Sequence, residues 1–263
     1  DSDALGEFPD TTAAEAVRRV SGISVENDQG EGRYVSIRGL SSDLNTIAIN
    51  GATLTAPEGN RSVMLDGVPT ELLDNIVISK SLTPDQDADS IGGRIEFNTK
   101  NPSSLDKTLL KLKFDNSYNE NSGNVDSPKM ALTYGGKISD QSAHVIGLTF
   151  ASKDIVSYNN ETGYGWETNS AGFKEMNDDW EMRYYDLTRE RYGLTYDIDF
   201  LINDKTTLYL KAFWNEYVED ELRWKDEYGK ITQTGITTGT LMETSRIRHD
   251  AESRVREEIR TIQ

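Results

Sequence analysis

Three aspartates at alternate positions in the stretch "SLTPDQDADSIGGRIEFNTK" are the residues whose spacing most resembles a metal site. Asp85, Asp87 and Asp89, with Glu96, supply carboxylates at positions 1, 3, 5 and 12 of a calcium loop between two helices. Position 6 of such a loop is glycine, and here it is Ser90. The pattern therefore keeps a calcium loop as one interpretation and a solvated acidic loop as the other.

The elements around these acids favour the second interpretation. In "GGRIEFNTK" the side chains of Ile95, Phe97 and Thr99 alternate with polar ones, which is the period of a β-strand. Upstream, "NIVISKS" alternates in the same way. The aspartates therefore lie in a strand-to-strand connection, and we predict no metal site.

Composition excludes several classes of function. The 263 residues hold 28 Lys and Arg against 45 Asp and Glu, a net charge of −17, so we expect no nucleic-acid partner. There is no cysteine, and the two histidines, His144 and His249, lie in no recognisable motif. We therefore expect no cofactor and no enzyme activity, since no carboxylate pair of a hydrolase is identifiable from spacing.

The first hundred residues predict a small α+β unit. "FPDTTAAEAVRRVSGISV" carries capping residues and then Ala13, Ala16, Val17 and Val20 at helical spacing before Gly22. Short strands are predicted in "RYVSIRG", "TIAINGATL", "SVMLD" and "NIVISKS", with a turn at Asn50-Gly51 and a short helix over 69–74.

From Leu105 the pattern changes to long alternating strands. The clearest is "YGLTYDIDFLIN", in which Tyr192 to Ile202 share one face at even positions while Gly193 to Asp199 share the other. The connections are short at 139–141 and 203–205 and are predicted to be long at 119–128, 157–183 and 218–240. Short turns on one side and long loops on the other are typical of an outer-membrane barrel, although a soluble β-sandwich also alternates.

Four segments together resemble the plug domain of the TonB-dependent outer-membrane receptors, and the subgroup common in carbohydrate-using proteobacteria. They are "AEAVRRVSGISV", "VSIRGL", "IVISKS" and "IGGRIEFNTK", within about residues 3–102. The resemblance implies an α+β plug, residues 1–102, followed by antiparallel transmembrane β-barrel strands, residues 103–263. About six strands are expected here of a 22-stranded barrel, with several hundred residues expected after Gln263.

The resemblance implies energised import of a scarce solute, an oligosaccharide, siderophore or similar, across the bacterial outer membrane. The TonB-ExbB-ExbD complex would supply the energy through a box before Asp1, and outer-membrane lipid would surround the barrel. The alternative is a secreted soluble β-rich binding module, possibly calcium-dependent, suggested by the acidic run and the net charge.

The family's motif positions also imply particular site residues. Two basic plug residues that lock onto barrel glutamates would be Arg38 and Lys80, and Lys replaces a frequent Arg at the second position, which removes bidentate geometry. Gly92 and Gly93 would allow a tight backbone turn where side chains would clash. Residues in apical plug loops and long barrel loops are candidates for substrate contact: Asn45, Glu58, Asn60, Arg61, Tyr164, Trp166, Trp180 and Trp224.

Overall fold

The helix of the N-terminal unit is shorter than the sequence predicts. The computed structural model describes residues 10, 12–56, 61–84, 86, 90–162, 165–176, 179–229, 231–233, 239–241 and 247–260. Helix α1 spans Ala13–Val17 and is capped by the Thr12 hydroxyl, which accepts from the Glu15 amide at 3.4 Å. Val20 lies beyond the helix and is exposed, because the chain turns there toward the next strand.

Six strands in two sheets complete the N-terminal unit. Strands β1 (Ile23–Asp28) and β2 (Glu31–Ile37) form an antiparallel hairpin. A mixed sheet follows the order β4-β3-β6-β5, in which β3 and β6 are parallel. Its strands are β3 (Asn45–Ile49), β4 (Ala52–Thr53), β5 (Leu73–Ser79) and β6 (Gly93–Thr99).

Two predicted elements of this unit are wrong and one is confirmed. The stretch "SVMLD" forms no strand, although Val63, Met64 and Leu65 are buried, because its backbone joins no ladder. The helix predicted over 69–74 is a single 3-10 turn, Thr70–Leu72, since β5 already begins at Leu73. The predicted Asn50-Gly51 turn is present, and both residues have positive φ.

The core of the N-terminal unit lies between α1, the hairpin and the mixed sheet. Val17, Ile37, Leu65, Ile95 and Phe97 are all fully enclosed there. Burying side chains of this size contributes about 1.5–3 kcal/mol each, which is what holds so small a unit together.

Long strands from residue 109 onward form one antiparallel sheet, which we call the wall. Its strand order is β16-β13-β12-β9-β8-β7. The strands are β7 (Leu109–Asn119), β8 (Asn124–Ser139), β9 (Ser142–Thr162), β12 (Asp179–Asn203), β13 (Thr206–Gly229) and β16 (Ile247–Arg260). Small hairpins β10–β11 (Trp166–Thr168, Lys174–Met176) and β14–β15 (Ile231–Gln233, Gly239–Leu241) lie in the connections between them.

The connections between the wall strands have the predicted lengths on one side of the wall and are shorter than predicted on the other. Turns at 140–141 and 204–205 are short, as predicted. The loop predicted at 119–128 is wrong, because β7 and β8 are joined by residues 120–123 alone. Strands β9 and β13 also run into the loops predicted at 157–183 and 218–240, since their polar residues continue to alternate and pair across the sheet.

The two faces of the wall have opposite chemistry. Large apolar side chains are exposed on the outward face, with Leu112 at 74% and Phe114 at 67%. The opposite face contacts the N-terminal unit and buries polar and charged residues, among them Lys129, Arg189, Arg191 and Asp199. This arrangement confirms the predicted fold class, an α+β unit followed by antiparallel strands of a barrel type. Among the described helices, none has the length and hydropathy needed to cross a membrane.

Candidate functional site: the seam between the N-terminal unit and the wall

The carboxylate of Glu31, at the start of β2, is held by three cations of the wall. Arg191 Nη2 lies 2.6 Å and Arg189 Nη1 2.8 Å from Oε2, while Lys153 Nζ lies 2.8 Å from Oε1. Glu31 is 1% exposed. The period of two places Arg189 and Arg191 on the same face of β12, and the register sets Lys153 of β9 opposite Arg189.

The guanidinium of Arg189 bridges the two parts of the chain. Its Nε donates to Glu219 Oε2 at 2.8 Å on the wall, and its Nη2 donates to Gln29 Oε1 at 2.5 Å in the turn before β2. The hydroxyl of Tyr217 donates to the same Glu219 oxygen at 2.7 Å. Arg189 is fully buried, so its own charge is compensated by these protein groups rather than by bulk water.

Arg191 makes a second bond to the N-terminal unit. Its Nε donates to the Asp66 carbonyl at 2.6 Å, and the side-chain amide of Asn215 donates to the neighbouring Gly67 carbonyl at 3.1 Å. The Asp66 carboxylate faces Arg33, whose Nε lies 3.5 Å from Oδ2. The loop at 66–67 is therefore attached to the wall through its backbone.

Burial and charge act in opposite directions on the two acids. Burial alone would raise the pKa of Glu31, but Arg191, Lys153 and Arg189 together bring this pKa far below its ordinary value. Burial raises the pKa of the Asp66 carboxyl, and the nearby arginines only partly oppose that shift. Glu31 is therefore the acid whose charge the seam stabilises.

A second ion cluster lies at the 3-10 turn Thr70–Leu72. Glu71 Oε1 is 2.5 Å from Lys129 Nζ and 3.3 Å from Lys113 Nζ, on neighbouring wall strands. A cavity of about 260 Å³ opens beside both clusters, lined by Lys113, Lys129, Lys153 and Arg191 among others. It is large enough and polar enough to hold several waters against these charges.

An apolar contact lies between the two ion clusters. Leu72 enters a notch formed by Gly147 of β9 and Gly193 of β12. A Cβ added at Gly147 would lie 2.9 Å from Leu72 Cδ2, and one added at Gly193 would lie 2.7 Å from Leu72 Cδ1. A side chain at either glycine would force the end of Leu72 and the neighbouring threonine hydroxyl to shift, so both glycines favour this close approach.

A further seam contact is made by the 3-10 turn Pro102–Ser104, which precedes the wall. The amide and hydroxyl of Ser103 donate to Asp199 Oδ2 at 3.1 and 2.5 Å. The segment just before the first wall strand is therefore hydrogen-bonded to β12.

The two predicted locking residues make contacts inside the N-terminal unit. Arg38 has a left-handed backbone, φ 55°, and its Nη2 donates to the Gly92 carbonyl at 3.4 Å. Lys80 Nζ donates to the Ser21 carbonyl. The lock itself stays a prediction, because its glutamates were expected after Gln263.

The predicted glycines border a buried amide. A Cβ on Gly92 would lie 2.1 Å from Asn45 Oδ1, and one on Gly93 would lie 2.8 Å from the Ser79 carbonyl oxygen. Asn45, a predicted substrate contact, is itself buried and donates from Nδ2 to the Val35 carbonyl at 2.9 Å.

The other predicted substrate contacts are not brought together. Arg61 is exposed on the N-terminal unit, and Trp166 is exposed on β10. Trp180 stacks on Tyr228 at the end of β12, and Trp224 lies on the outward face of β13. Glu58, Asn60 and Tyr164 lie outside the described residues, as do the three aspartates of the calcium pattern. The described part of the chain contains no cluster of acids and histidines able to hold a metal ion.

Sequence reasoning missed most of the residues that make the seam. They are Glu31, Glu71, Leu72, Lys129, Lys153, Arg189 and Arg191. A signal for two of them was present, because the alternation of "YGLTYDIDF" continues upstream through "RER" and places both arginines on the same face as Gly193.

Comparison with known proteins gives a family for the N-terminal unit. Residues 1–94 match the model of the TonB-dependent receptor plug domain. Among curated proteins none matches the chain.

Several solved structures resemble the chain in shape. The ferric enterobactin receptor mutant Q482A from Pseudomonas aeruginosa is 12% identical with a TM-score of 0.47, over 96% of this chain and 44% of that one. The outer membrane transporter YddB from Escherichia coli is 12% identical with a TM-score of 0.42, and the match covers 99% of this chain and 54% of that one. The ferric citrate transporter FecA is 15% identical with a TM-score of 0.41, and the match covers 96% of this chain and 52% of that one. The chain spans about half the length of these structures.

Proposed function

The first 94 residues of this chain are a TonB-dependent receptor plug domain, and from that premise we propose that the chain is the N-terminal part of an energised outer-membrane importer. The resemblance to this family stated from the sequence is confirmed by the match, and with it the location in the outer membrane. In the proposal, residues 1–102 form the plug and residues 103–263 form the first strands of the barrel around it.

One observation carries this proposal: the plug is attached to the polar face of a wall whose other face is apolar. An open sheet with exposed Leu112, Phe114 and Leu208 would aggregate in water, whereas hydrocarbon accepts such a face. The inner face instead offers ion pairs and hydrogen bonds to the plug. The wall therefore separates lipid on one side from a polar lumen on the other.

The polar seam suits a plug that must move. An ion pair can exchange its partner for water in the adjoining cavity, whereas an apolar seam of the same area would resist separation in proportion to that area. Single contacts of this kind are made and broken at a cost of a few kcal/mol. We propose that the TonB-ExbB-ExbD complex supplies this energy by pulling on the chain before the plug.

The proposed cargo is a scarce solute, an oligosaccharide, siderophore or similar chelate, too large for a passive pore. Arg61 and Trp166, exposed on the plug and on the β10–β11 hairpin, are the proposed contacts among the described candidates. Arg38 and Lys80 remain the proposed lock to glutamates of later strands.

Deletion of the plug tests the proposal. In the full-length protein, removing residues 1–102 should abolish energised uptake while leaving a membrane-inserted barrel. Insertion is measured by protease protection in outer-membrane fractions and uptake by accumulation of labelled solute with and without the proton gradient. A soluble product, or uptake that needs no gradient in the intact protein, would contradict it.

A further inference from the structure

The apolar band on the outward face of the wall ends well before the strands do. On β12 the even positions from Tyr192 to Ile202 are apolar, and ten residues rising about 3.3 Å each at a tilt of about 40° span about 25 Å of height. That is the height of the lipid-facing band of an outer-membrane barrel. Above it the same face turns polar at Glu190, Thr188 and Asp186.

A second group of aromatic side chains lies beyond this polar belt. Tyr158 of β9, Tyr184 of β12 and Trp224 of β13 stand side by side, because the sheet register pairs Tyr184 with both of the others. Their ring centroids are 5.0 and 5.2 Å apart. Tyr158 is 72% and Trp224 40% exposed. We call these three residues the aromatic row.

The aromatic row is too far from the band to be a membrane-interface girdle. Girdle aromatics border the apolar band directly. Tyr184 is eight residues beyond Tyr192, which places it about 20 Å higher. On the same face the interval also carries an acidic residue on each strand, Asp154, Asp186 and Asp220, together with aliphatic side chains on β9 and β13. Exposed rings at this height call for a ligand other than lipid tails.

The residues beside the row supply hydrogen-bonding groups. On each strand the position two residues further along the same face is a carboxylate or an amide: Asn160 after Tyr158, Asp186 after Tyr184 and Asp226 after Trp224. Ring faces pack against the apolar face of a sugar ring, and carboxylates and amides bond its hydroxyl groups. The acidic surroundings favour a neutral sugar over an anionic one.

We propose that the aromatic row binds the neutral saccharide part of the glycolipid in the outer leaflet around the barrel. The row faces away from the lumen, so an imported solute does not pass it. In this orientation the row stands about 20 Å above the hydrocarbon, which is the height at which the sugar chains of an outer-leaflet glycolipid would meet this face. This inference rests on the proposed function, which sets the orientation of the wall, and it assigns Trp224 to the exterior rather than to cargo.

The test uses the full-length protein in lipid nanodiscs containing either complete outer-leaflet glycolipid or the same glycolipid truncated to its lipid moiety. Native mass spectrometry counts the glycolipid that remains bound. The complete form should be retained about tenfold better than the truncated form, and the triple variant Tyr158→Ala, Tyr184→Ala, Trp224→Ala should lose that preference. The pair Tyr184→Phe, Trp224→Phe keeps the rings and should keep it.

A matched control comes from the lipid band. Phe150 and Tyr192 form an outward pair with centroids 5.2 Å apart, and Phe150→Leu with Tyr192→Leu should leave the saccharide preference unchanged. Equal retention by wild type and triple variant would overturn the inference, as would a glycolipid that an excess of free saccharide fragments does not displace, or a partner protein captured by the row. In each case insertion and energised uptake by the triple variant remain normal, whereas failure of the proposed function would remove both from the wild type.

Discussion

Glu31 of the plug and Arg191 of the wall form an ion pair of 2.6 Å in which both side chains are buried. A charge pair without solvent is stabilising only while both partners are present, because either one alone is left in a poorly solvating site. Arg189 and Lys153 share the same carboxylate. The seam is therefore a small network in which the plug contributes the anion and the wall contributes the cations, the reverse of the lock that the family resemblance implies for Arg38 and Lys80.

Neutralising the anion should loosen the plug. Glu31→Gln removes the carboxylate that three wall cations share, and we expect the free energy of unfolding of the plug to fall by about 3–5 kcal/mol. Denaturant unfolding of the full-length protein, followed by a probe on the plug, measures it. Glu26→Gln is the matched control, since Glu26 is exposed on β1 and bonds to Ser36 within the plug. Equal losses in the two variants would show that Glu31 does not hold the seam.

The stability that Glu31 contributes should depend on pH in one direction only. Its pKa is lowered in the folded state from an ordinary 4.5, because Arg191, Lys153 and Arg189 outweigh the effect of burial. A lowered pKa contributes stability that is complete above the unfolded value and is lost as the pH falls below it. The difference between wild type and Glu31→Gln should thus be constant from about pH 8 to pH 6 and shrink below about pH 4.5. A difference that shrinks above pH 6 contradicts this assignment.

Filling the glycine notch should displace the plug. Gly193→Ala puts a methyl group 2.7 Å from Leu72 Cδ1 and 2.5 Å from Thr149 Oγ1, and overpacking of this kind costs about 1–3 kcal/mol. Adding Leu72→Ala should recover part of that loss by removing one of the two clashes. Gly136→Ala is the control, because its nearest neighbour would be 3.5 Å away. Thermal unfolding of the plug that is unchanged by Gly193→Ala would show that the notch does not set its position.

A variant at Arg38 can test the predicted lock without changing the stability of the plug. Its φ of 55° suits glycine better than arginine, so Arg38→Gly removes the charge without backbone strain. We expect normal plug stability with energised uptake reduced at least about tenfold, while Arg38→Lys retains more of it because the charge remains. If Arg38→Gly imports at the wild-type rate, Arg38 is not part of the lock.

How far the sequence predicted this structure depends on the length of each element. Alternation over 192–202 was long enough to assign faces, and the turn at Asn50-Gly51 follows from residues that tolerate positive φ. The strand ends were misjudged because polar side chains were taken as loop, although Lys225 of β13 pairs with Glu181 of β12 and Arg183 pairs with the same carboxylate along β12. Glu31 was missed since its partners lie more than 120 residues away, and a spacing rule sees only local neighbours.

The central claim is that the seam between plug and wall separates during import, and a reversible covalent bond tests it most directly. The chain has no cysteine, and a Cβ on Gly67 would lie 3.4 Å from Tyr217 Cβ, close to the separation that a disulfide needs. A Cβ on Gly136 would lie 3.8 Å from Thr108 Cβ, so Gly136→Cys with Thr108→Cys is the control pair outside this seam.

Energised uptake is measured for both full-length pairs before and after reduction. The oxidised Gly67→Cys, Tyr217→Cys protein should import nothing and recover on reduction, while the control pair imports in both states. Undiminished uptake by the oxidised plug-to-wall pair would contradict the account.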